Sequence, residues 1–257
     1  MCYDVNFSTK IELITDYLPD LIIDKNIKLE FELRPHVQAQ WFQPYPIVIF
    51  NNGNYHLKLF EWGVIADYMN SEEKIKDMRR WMCNARSDKI LDRKSYWYRI
   101  RKNRCLMPVM GIYEHREIKG WKNKVPYHVK LKNENMFFLP GLYRPDSSLN
   151  KDTGELLSTF AMVTRNANTL MAQIHNKDPK DPRMPLFVPF EMAKKWLMPD
   201  LSDEEIKEIL DFEMPSDNLE YHTVYTIRSN KPRPDDKTKC EPFTWDNLPE
   251  LQEGGNS

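Results

Sequence analysis

Hydrophobic and polar positions alternate over short distances along most of the chain, a pattern typical of β-strands. Apolar runs at 47–50 and 55–62 flank the tetrapeptide Asn-Asn-Gly-Asn at 51–54, and this arrangement predicts a β-hairpin. The same criteria predict further strands at residues 105–113, 160–164, 186–188 and 221–226.

Two more strands are predicted at 126–131 and 136–142. The polar residues 132–135, Lys-Asn-Glu-Asn, lie between them, so we expect the two strands to pair with each other through a turn. Proline lacks a backbone N–H, and a group of prolines is therefore expected to interrupt regular structure before residue 47. These prolines are Pro35, Pro44 and Pro46.

Helical spacing is confined to short segments between the strands. Residues 9–18 and 24–33 could each be helix or loop, and helices are expected at 71–82, 93–104, 168–174, 190–196 and 202–210. The last of these begins with Ser202, followed three residues later by Glu205, which is the signature of a capping box. Closely spaced strands interrupted by helices indicate an α+β fold with a mostly antiparallel sheet.

Composition sets limits on the partners of the chain. Its 257 residues can bury a substantial core, and a net charge of −1 means that any DNA-binding site must be a local patch. The segment after residue 230 is rich in Pro, Asp and Lys. We therefore expect a tail over 231–257 whose last residues, 253–257, are disordered, while length alone leaves one large domain or two small ones open for the preceding part.

The four cysteines contain no Cys-x-x-Cys pair, and the histidines are scattered, which argues against a zinc site. The N-terminus lacks a signal peptide, and no apolar stretch approaches the length of a membrane span. The sequence thus predicts free thiols in a reducing cytoplasm, with no metal, cofactor or membrane partner.

Cys2 has particular chemistry if Met1 is removed, because the chain then begins with an amine and a thiol on adjacent carbons. An α-amine has a pKa of about 7.7–8.0, so a useful fraction is neutral near pH 7 and can attack an aldehyde. The thiol can then close a five-membered thiazolidine ring without a further loss of translational entropy. A small second residue is also common by chance, and chance is the favoured reading of Cys2 alone.

Three other groups of residues change that weighting. Residues 84–87, Asn-Ala-Arg-Ser, combine Asn84 with Arg86, a potential phosphate ligand, although on this tetrapeptide alone a turn with a surface arginine is favoured. Glu114 ends an apolar run, where burial would raise its pKa towards neutrality, or it could simply face water. His175 and Arg183 follow a third polar segment, and a lone histidine is more often structural than catalytic.

The order of these segments resembles the SRAP (SOS response-associated peptidase) family. The matching pieces are Met-Cys at 1–2, Trp-Gly at 62–63, Asn-Ala-Arg-Ser at 84–87, Cys-Leu-x-Pro at 105–108, Gly-x-Tyr-Glu at 111–114, Pro-Tyr at 126–127, Pro-Gly-Leu-Tyr at 140–143, Thr-x-x-Ala-Asn at 164–168, Ile-His at 174–175 and Arg-Met-Pro at 183–185. Each piece is weak alone, but their joint order over residues 1–230 is specific.

The resemblance implies a single domain with a barrel-like sheet and a protein that crosslinks to abasic sites in single-stranded DNA. It implies that Cys2 is the nucleophile, Asn84 orients the opened sugar, Glu114 acts as acid and base, and His175 moves a proton at the sugar oxygen. Contacts with DNA are implied for Arg86, Arg183 and Tyr68. Self-cleavage before Cys2, a lyase-type activity and a monomeric state are further implications.

The chain departs from the family pattern at several places. Tyr3 and Asp4 stand where the family often has Gly-Arg, and His115 stands where Trp is common. Residues 176–182 lengthen the segment after His175, and this insertion is expected to loop outward. Arginines and lysines within 93–104 are interleaved with aromatic residues, a composition that suits single-stranded DNA or a solvated helix face.

Two alternatives remain open from the sequence. The first is a cysteine hydrolase that uses Cys2 or Cys105 with His175, which would need a thiolate, a base and an oxyanion hole. The second is a module that binds single-stranded DNA without a covalent bond. The first would label with thiol-reactive substrate analogues, and the second would tolerate replacement of Cys2 by serine.

Overall fold

The computed structural model describes residues 2–8, 10–25, 27, 34–149, 154–229 and 232–252. The strands are β1 (Asp4–Phe7), β2 (Ile22–Ile23), β3 (Arg34–Gln38), β4 (Pro44–Asn51), β5 (Asn54–Trp62), β6 (Asn84–Arg86), β7 (Arg104–Val109), β8 (Gly111–Arg116), β9 (Val125–Leu131), β10 (Phe137–Leu149), β11 (Leu156–Asn166), β12 (Arg183–Pro185) and β13 (Leu219–Thr223). The helices are α1 (Leu13–Tyr17), α2 (Glu72–Met78), α3 (Ser87–Ile90), α4 (Tyr96–Ile100), α5 (Thr169–Ile174), α6 (Phe190–Trp196) and α7 (Asp203–Asp211).

Five strands close into a barrel in the order β11, β10, β7, β4, β5. Neighbouring strands are antiparallel except at the closing pair, where β11 runs parallel to β5 and Phe160 lies opposite Trp62. Tyr45 on β4 contacts both rings, with centroid separations of 6.3 Å to Trp62 and 6.2 Å to Phe160. All three aromatic side chains are essentially inaccessible to solvent, so they form the packed centre of the barrel.

A second antiparallel sheet, in the order β13, β9, β8, β1, β3, lies beside the barrel. The chain passes from one sheet to the other between β7 and β8, at Met110. Gly111 is required there, since a Cβ atom on it would lie 2.2 Å from Nε2 of His128. The combination of barrel, sheet and peripheral helices confirms the α+β fold with a mostly antiparallel, barrel-like core.

Several predicted elements agree with the structure. β4 and β5 form the predicted hairpin, and Asn52 and Gly53 at its turn both have positive φ, as a two-residue hairpin of this type requires. Ser202 and Glu205 make the reciprocal bonds of a capping box at the start of α7. Helix α4 is shorter than predicted, and most of the segment 24–33 lies outside the described residues.

The predicted pairing of 126–131 with 136–142 is wrong. β9 pairs with β8 and β13 in the second sheet, whereas β10 pairs with β7 and β11 in the barrel. Alternating polarity specifies a strand but not its neighbour, and both sheets offer an apolar face that either strand can cover. Residues 132–135 therefore connect two sheets rather than closing a hairpin.

Two smaller predictions are also corrected. Pro44 and Pro46 lie inside β4, not before it, and they precede Val48, where pairing with β7 begins. Proline is tolerated there because that end of the strand has a single neighbour, β5. Pro35 likewise lies within β3, and the strand expected at 186–188 is replaced by β12, three residues earlier.

The segment after residue 231 packs against the domain. Thr223 accepts a backbone hydrogen bond from Phe243 and donates one through its hydroxyl, with lengths of 2.8 and 2.6 Å. The Trp245 indole donates to the carbonyl of Val224 at 3.0 Å. A division of the chain at residue 230 stays a prediction. Within the described part of the chain, no helix is long and apolar enough to cross a membrane.

Candidate active site

Three chain segments that are distant in sequence meet beside the second sheet. Cys2 leads into β1, and Glu114 lies on β8, which pairs antiparallel with β1. His175 is the C-terminal cap of α5, and its backbone N–H donates to Met171 at 2.7 Å. The sulfur of Cys2, a carboxylate oxygen of Glu114 and a ring nitrogen of His175 all lie within 4.8 Å of one another.

Glu114 and His175 form a hydrogen-bonded pair between a carboxylate oxygen and Nδ1 of the ring. Only 3% of the surface of Glu114 is exposed. Burial alone raises the pKa of Glu114, but the Coulombic attraction of His175 and the hydrogen bond between them outweigh it, so the pKa lies below its usual value. The expectation that burial would raise this pKa was wrong, because it did not include the histidine.

The pKa of the Cys2 thiol is shifted in the opposite direction to that of Glu114. Burial raises the pKa of Cys2 well above its usual value, and the negative charge of Glu114 raises it further. The thiol of Cys2 donates a long hydrogen bond, with an Sγ–O distance of 3.9 Å, to the backbone carbonyl of Arg183. Cys2 is therefore a protonated thiol near neutral pH, with a carboxylate close enough to accept its proton.

Asn84 stands at the start of β6, opposite Met162 of β11. Its side chain is 4% exposed, and among the described residues neither its amide nitrogen nor its amide oxygen has a hydrogen-bond partner. The second carboxylate oxygen of Glu114 is also buried and without a partner in the described chain. Unpaired buried groups of this kind are rare in folded proteins and are a common feature of binding sites.

Arg86 and Arg183 lie at the side of this group in a network with two carboxylates. Arg86 donates to Asp88 at 3.0 Å and to Asp181 at 2.7 Å. Arg183 is buried, donates to the carbonyl of Thr164 at 2.8 Å, and lies 3.7 Å from Asp88 and 3.8 Å from Asp181. Arg183 is therefore held within the fold, although its Nε has no partner among the described residues, whereas Arg86, with 43% of its side chain exposed, is accessible.

The insertion at 176–182 does not loop away from the site, as had been expected. Asp181 near its end contacts Arg86, and Asn176 at its start exchanges hydrogen bonds of 2.8 and 2.9 Å with the backbone of Glu117. His175 keeps its position beside Glu114. The insertion thus brings an additional carboxylate to the arginine that is expected to hold phosphate.

Beside Glu114 and His175 opens a cleft of about 710 Å³. Its lining includes four cationic side chains, Arg80, Lys124, Lys177 and Arg228. Trp81, with 58% of its surface exposed, also lines the cleft. Two of these cations are paired with carboxylates, Arg228 with Asp4 and Lys124 with Glu117, so acidic neighbours partly balance the positive charge of the cleft.

Arg228 reaches the cleft from the C-terminal part of the chain. Its guanidinium makes two contacts with Asp4, which is buried and also accepts a hydrogen bond of 2.7 Å from His36. Burial opposes ionisation of Asp4, but the bonds from His36 and Arg228 lower the pKa of Asp4 overall. Asp4 thus holds an arginine from a distant part of the chain.

Two predicted DNA contacts lie elsewhere. Tyr68 is 42% exposed and stacks edge-on against Tyr96 at 5.6 Å, outside the lining of the cleft. None of the basic residues at 93–104 lines the cleft either. Arg104 is buried and donates to the carbonyls of Trp196 and Pro199, which shows that part of that basic run stabilises the fold.

Sequence reasoning missed Trp81, Lys124, Lys177 and Arg228 as residues of the site. Trp81 lies three positions before Asn84, and that proximity is the only signal that could have identified it. Lys124 and Arg228 come from segments without a recognisable motif, and only the pairing of β8 with β9 and of β9 with β13 brings them near Glu114.

Beside the barrel, the structure thus brings together the thiol of Cys2 and the carboxylate–histidine pair of Glu114 and His175. Residues 1–230 match the family described as SOS response associated peptidase (SRAP). The chain belongs to the SRAP family.

Individual relatives agree with this assignment. The chain is 29% identical over 182 residues to the abasic site processing protein YobE of Bacillus subtilis, covering 70% of this chain and 77% of that protein. It is 26% identical over 193 residues to the abasic site processing protein HMCES of Xenopus tropicalis, covering 68% of this chain and 54% of that protein.

Solved structures show the same fold. A crystal structure of a protein from Bacteroides thetaiotaomicron superposes with a TM-score of 0.76 at 29% identity and covers 94% of this chain and 97% of that one. A protein from Bordetella bronchiseptica superposes with a TM-score of 0.69 at 18% identity, over 88% of this chain and 100% of that one, and this likeness concerns the fold alone.

Proposed function

We propose that this protein crosslinks itself to abasic sites in single-stranded DNA through Cys2, after Met1 has been removed, and so shields the lesion. The observation that carries the proposal is the grouping of the Cys2 sulfur with Glu114 and His175 within 4.8 Å. The relatives named as abasic site processing proteins support the same class of substrate.

The first step of the proposed reaction joins the α-amine of Cys2 to the aldehyde of the ring-opened sugar. The neutral amine attacks the carbonyl carbon, and loss of water gives a Schiff base. Glu114, ionised because its pKa is lowered, accepts in turn the two protons that the amine nitrogen loses and passes both to the former carbonyl oxygen, which departs as water. Asn84 can donate to the sugar oxygen and accept from a hydroxyl at the same time, since both ends of its amide are unpaired in the described structure.

The second step closes the ring. The thiol sulfur of Cys2 attacks the carbon of the Schiff base, its proton passes by way of Glu114 to the nitrogen, and a thiazolidine results without loss of any atom. His175, bonded to Glu114, is suited to protonate the ring oxygen when the sugar opens and to deprotonate it on reversal. We therefore expect His175→Ala to slow both formation and reversal of the adduct more than it weakens the initial binding of DNA.

The cleft supplies the electrostatic part of the proposal. Arg80, Lys124, Lys177 and Arg228 are placed to follow a phosphate backbone, and Trp81 offers a surface for an unpaired base. Affinity that depends on a few such contacts is modest and falls with salt. In the proposed function the covalent bond, not the charge, provides retention on DNA.

The cysteine hydrolase is less well supported. Such an enzyme needs a thiolate, whereas burial and Glu114 hold the pKa of Cys2 well above its usual value. Cys105 is fully buried on β7 of the barrel, and burial raises its pKa as well. Release of Met1 by the site itself or by an aminopeptidase gives the same N-terminus, so self-cleavage is a separate proposal. A lyase-type activity is a further separate proposal.

The test is denaturing electrophoresis of the protein with abasic single-stranded DNA. We expect a slow-migrating species that survives denaturant, is absent with intact DNA, is lost in Cys2→Ser and is retained in the control Cys240→Ser. Because a serine N-terminus keeps its amine, Cys2→Ser should still give a labile adduct that borohydride traps. A denaturant-stable species of equal yield in Cys2→Ser would reject the thiazolidine.

A further inference from the structure

The three side chains that meet at the candidate site are also three of the preferred ligands of zinc. A thiol, an imidazole and a carboxylate with all their ligand atoms within 4.8 Å form the one such group of three or more potential ligands among the described residues. They come from positions 2, 114 and 175, so no local spacing in the sequence could have indicated them.

The distances are close to those that a metal ion needs. Zinc bonds of about 2.3 Å to sulfur and about 2.0–2.2 Å to nitrogen or oxygen place the ligand atoms of a tetrahedron about 3.4–3.6 Å apart. The observed upper limit of 4.8 Å exceeds this separation by no more than about 1.4 Å. Rotation about the Cα–Cβ bond of Cys2 can close such a gap. The His175 ring has to turn, because its Nδ1 and the bonded oxygen of Glu114 lie closer together than two ligands of one metal ion do.

One oxygen of Glu114 is available for a ligand. It is buried and has no hydrogen-bond partner within the described chain, while the other oxygen is bonded to His175. A buried carboxylate oxygen without a donor is energetically costly, and a cation beside it would remove that cost. This is a second indication, independent of the grouping, that the site accommodates a charged group.

The fourth ligand comes from Cys2 itself. Once Met1 is removed, the α-amine and the thiolate are separated by two carbons, so both can bind one metal ion in a five-membered chelate ring. The aminothiol that suits an aldehyde therefore also suits a divalent cation that accepts both sulfur and nitrogen. Zinc meets that requirement, whereas magnesium and calcium prefer oxygen ligands.

We propose that the processed chain binds one Zn²⁺ through the amine and thiolate of Cys2, the carboxylate of Glu114 and the imidazole of His175, and that Zn²⁺ and an aldehyde exclude each other. Four protein ligands give a closed site with no position for water. The zinc-binding half of this inference is independent of the proposed function. The exclusion half rests on it, because the metal would occupy the groups that the crosslinking reaction needs.

Binding of Zn²⁺ at this site needs no oxidant or reductant. The thiol of Cys2 loses its proton to solvent and its sulfur lone pair binds the metal. The neutral amine contributes its lone pair, and the hydrogen bond between Glu114 and His175 is exchanged for bonds to the metal. Zinc keeps its oxidation state throughout, and binding releases protons, so affinity should rise with pH across the neutral range.

Cobalt(II) is the probe for the zinc-binding half, because it takes the place of zinc and reports its ligands by absorption. Titration of Co²⁺ into the processed protein should give one equivalent bound, a sulfur-to-metal charge-transfer band in the near ultraviolet and the intense visible bands of a tetrahedral site. Zn²⁺ should displace the cobalt. Cys2→Ser should lose the charge-transfer band, and Cys240→Ser should retain it.

The result that overturns the proposal is cobalt binding that is absent, or that is unchanged in Cys2→Ser. Cys2→Ser removes only the sulfur, and its thermal unfolding midpoint shows whether the fold is intact. The exclusion half is tested separately by adding one equivalent of Zn²⁺ before abasic DNA. We expect the denaturant-stable adduct to disappear and to return in full with a chelator. Undiminished adduct with zinc bound would reject exclusion, whereas no adduct even without zinc would reject the proposed function alone.

Discussion

The interior of the barrel and the candidate site differ in how their buried polar atoms are satisfied. In the barrel, the Tyr45 hydroxyl donates to the carbonyl of Pro108 at 2.6 Å and the Trp62 indole donates to that of Cys83 at 2.8 Å. At the site, four buried atoms have no partner in the described structure, and they belong to Asn84, Glu114 and Arg183. The described residues contain six buried side-chain nitrogen or oxygen atoms without a partner, so these three residues hold most of them.

This difference distinguishes residues that stabilise the fold from residues that we expect to bind a ligand. An unpaired buried polar atom costs about 1–3 kcal/mol, so a sequence selected for stability alone would have removed these groups. The unpaired carboxylate oxygen of Glu114 lies on the residue that meets the thiol of Cys2, which indicates that its partner comes from a ligand. The predictions below test whether the barrel and the site can be damaged independently.

The largest expected effect is that of Glu114→Gln on adduct formation. Loss of an ionised base that is positioned for proton transfer should slow formation by roughly 10²–10⁴-fold, measured as the single-turnover rate with abasic DNA. The matched control is Glu117→Gln, which removes an exposed carboxylate three residues further on that pairs with Lys124 at 2.6 Å. Equal rates for wild type and Glu114→Gln across the pH range would remove Glu114 from the mechanism.

The next prediction compares the two regions directly through their stability. Leu57→Ala on β5 of the barrel should lower the free energy of unfolding in urea by about 2–5 kcal/mol, because it leaves a cavity among fully buried side chains. Asn84→Ala should change it by less than about 1 kcal/mol, since the amide has no partner to lose. Asn84→Ala should nevertheless lower the yield of adduct. A loss of stability for Asn84→Ala as large as that for Leu57→Ala would mean that the asparagine is structural.

His128 provides a pH-dependent test away from both regions. Burial, with a smaller contribution from His222, lowers the pKa of His128 to about 3. Below an unfolded pKa of about 6.5 the unfolded chain binds a proton that the folded chain does not, so stability should fall by up to about 1.4 kcal/mol per pH unit as the pH decreases towards 3. Urea unfolding at pH 7, 6, 5 and 4 measures the slope.

In His128→Gln this part of the slope should disappear, whereas His56→Gln, on β5, should keep it. If both variants kept the wild-type pH dependence, other groups would be responsible for the loss of stability in acid.

The smallest expected effect concerns the insertion. Asp181→Asn should free one edge of Arg86 and raise the affinity for intact single-stranded DNA a few-fold, since an exposed ion pair is worth about 0.2–1 kcal/mol. Asp178→Asn removes the same charge from the same insertion, but among the described residues that carboxylate accepts from the backbone of Lys180 and not from an arginine. Fluorescence anisotropy at low salt measures both. An equal increase for the two variants would show that only net charge matters.

Local patterns predicted the elements that local interactions determine. The hairpin of β4 and β5 follows from Asn52 and Gly53 at its turn, and helix α7 follows from the capping box of Ser202 and Glu205. The order of the motifs identified the family. The strand pattern predicted the α+β class, and the resemblance to the family predicted the barrel-like sheet. The roles of Asn84, Glu114 and His175 in catalysis stay predictions, although the structure brings Glu114 and His175 together with Cys2.

What the sequence could not provide depends on pairing over long distances. The partner of β9 is chosen by which apolar face it covers, and the lowered pKa of Glu114 depends on a histidine 61 residues away. The pairing of Asp181 with Arg86 and of Asp4 with Arg228 has no signature in either segment. The cationic cleft therefore became visible only in three dimensions.

The central claim is that the mature chain begins at Cys2 and that its amine and sulfur together hold the sugar. The most direct test is mass spectrometry of the peptide that remains attached to abasic single-stranded DNA after proteolysis. The account predicts a peptide that begins at Cys2, with both its nitrogen and its sulfur bonded to the former aldehyde carbon. A linked peptide that retains Met1, or a link at a lysine, would contradict it.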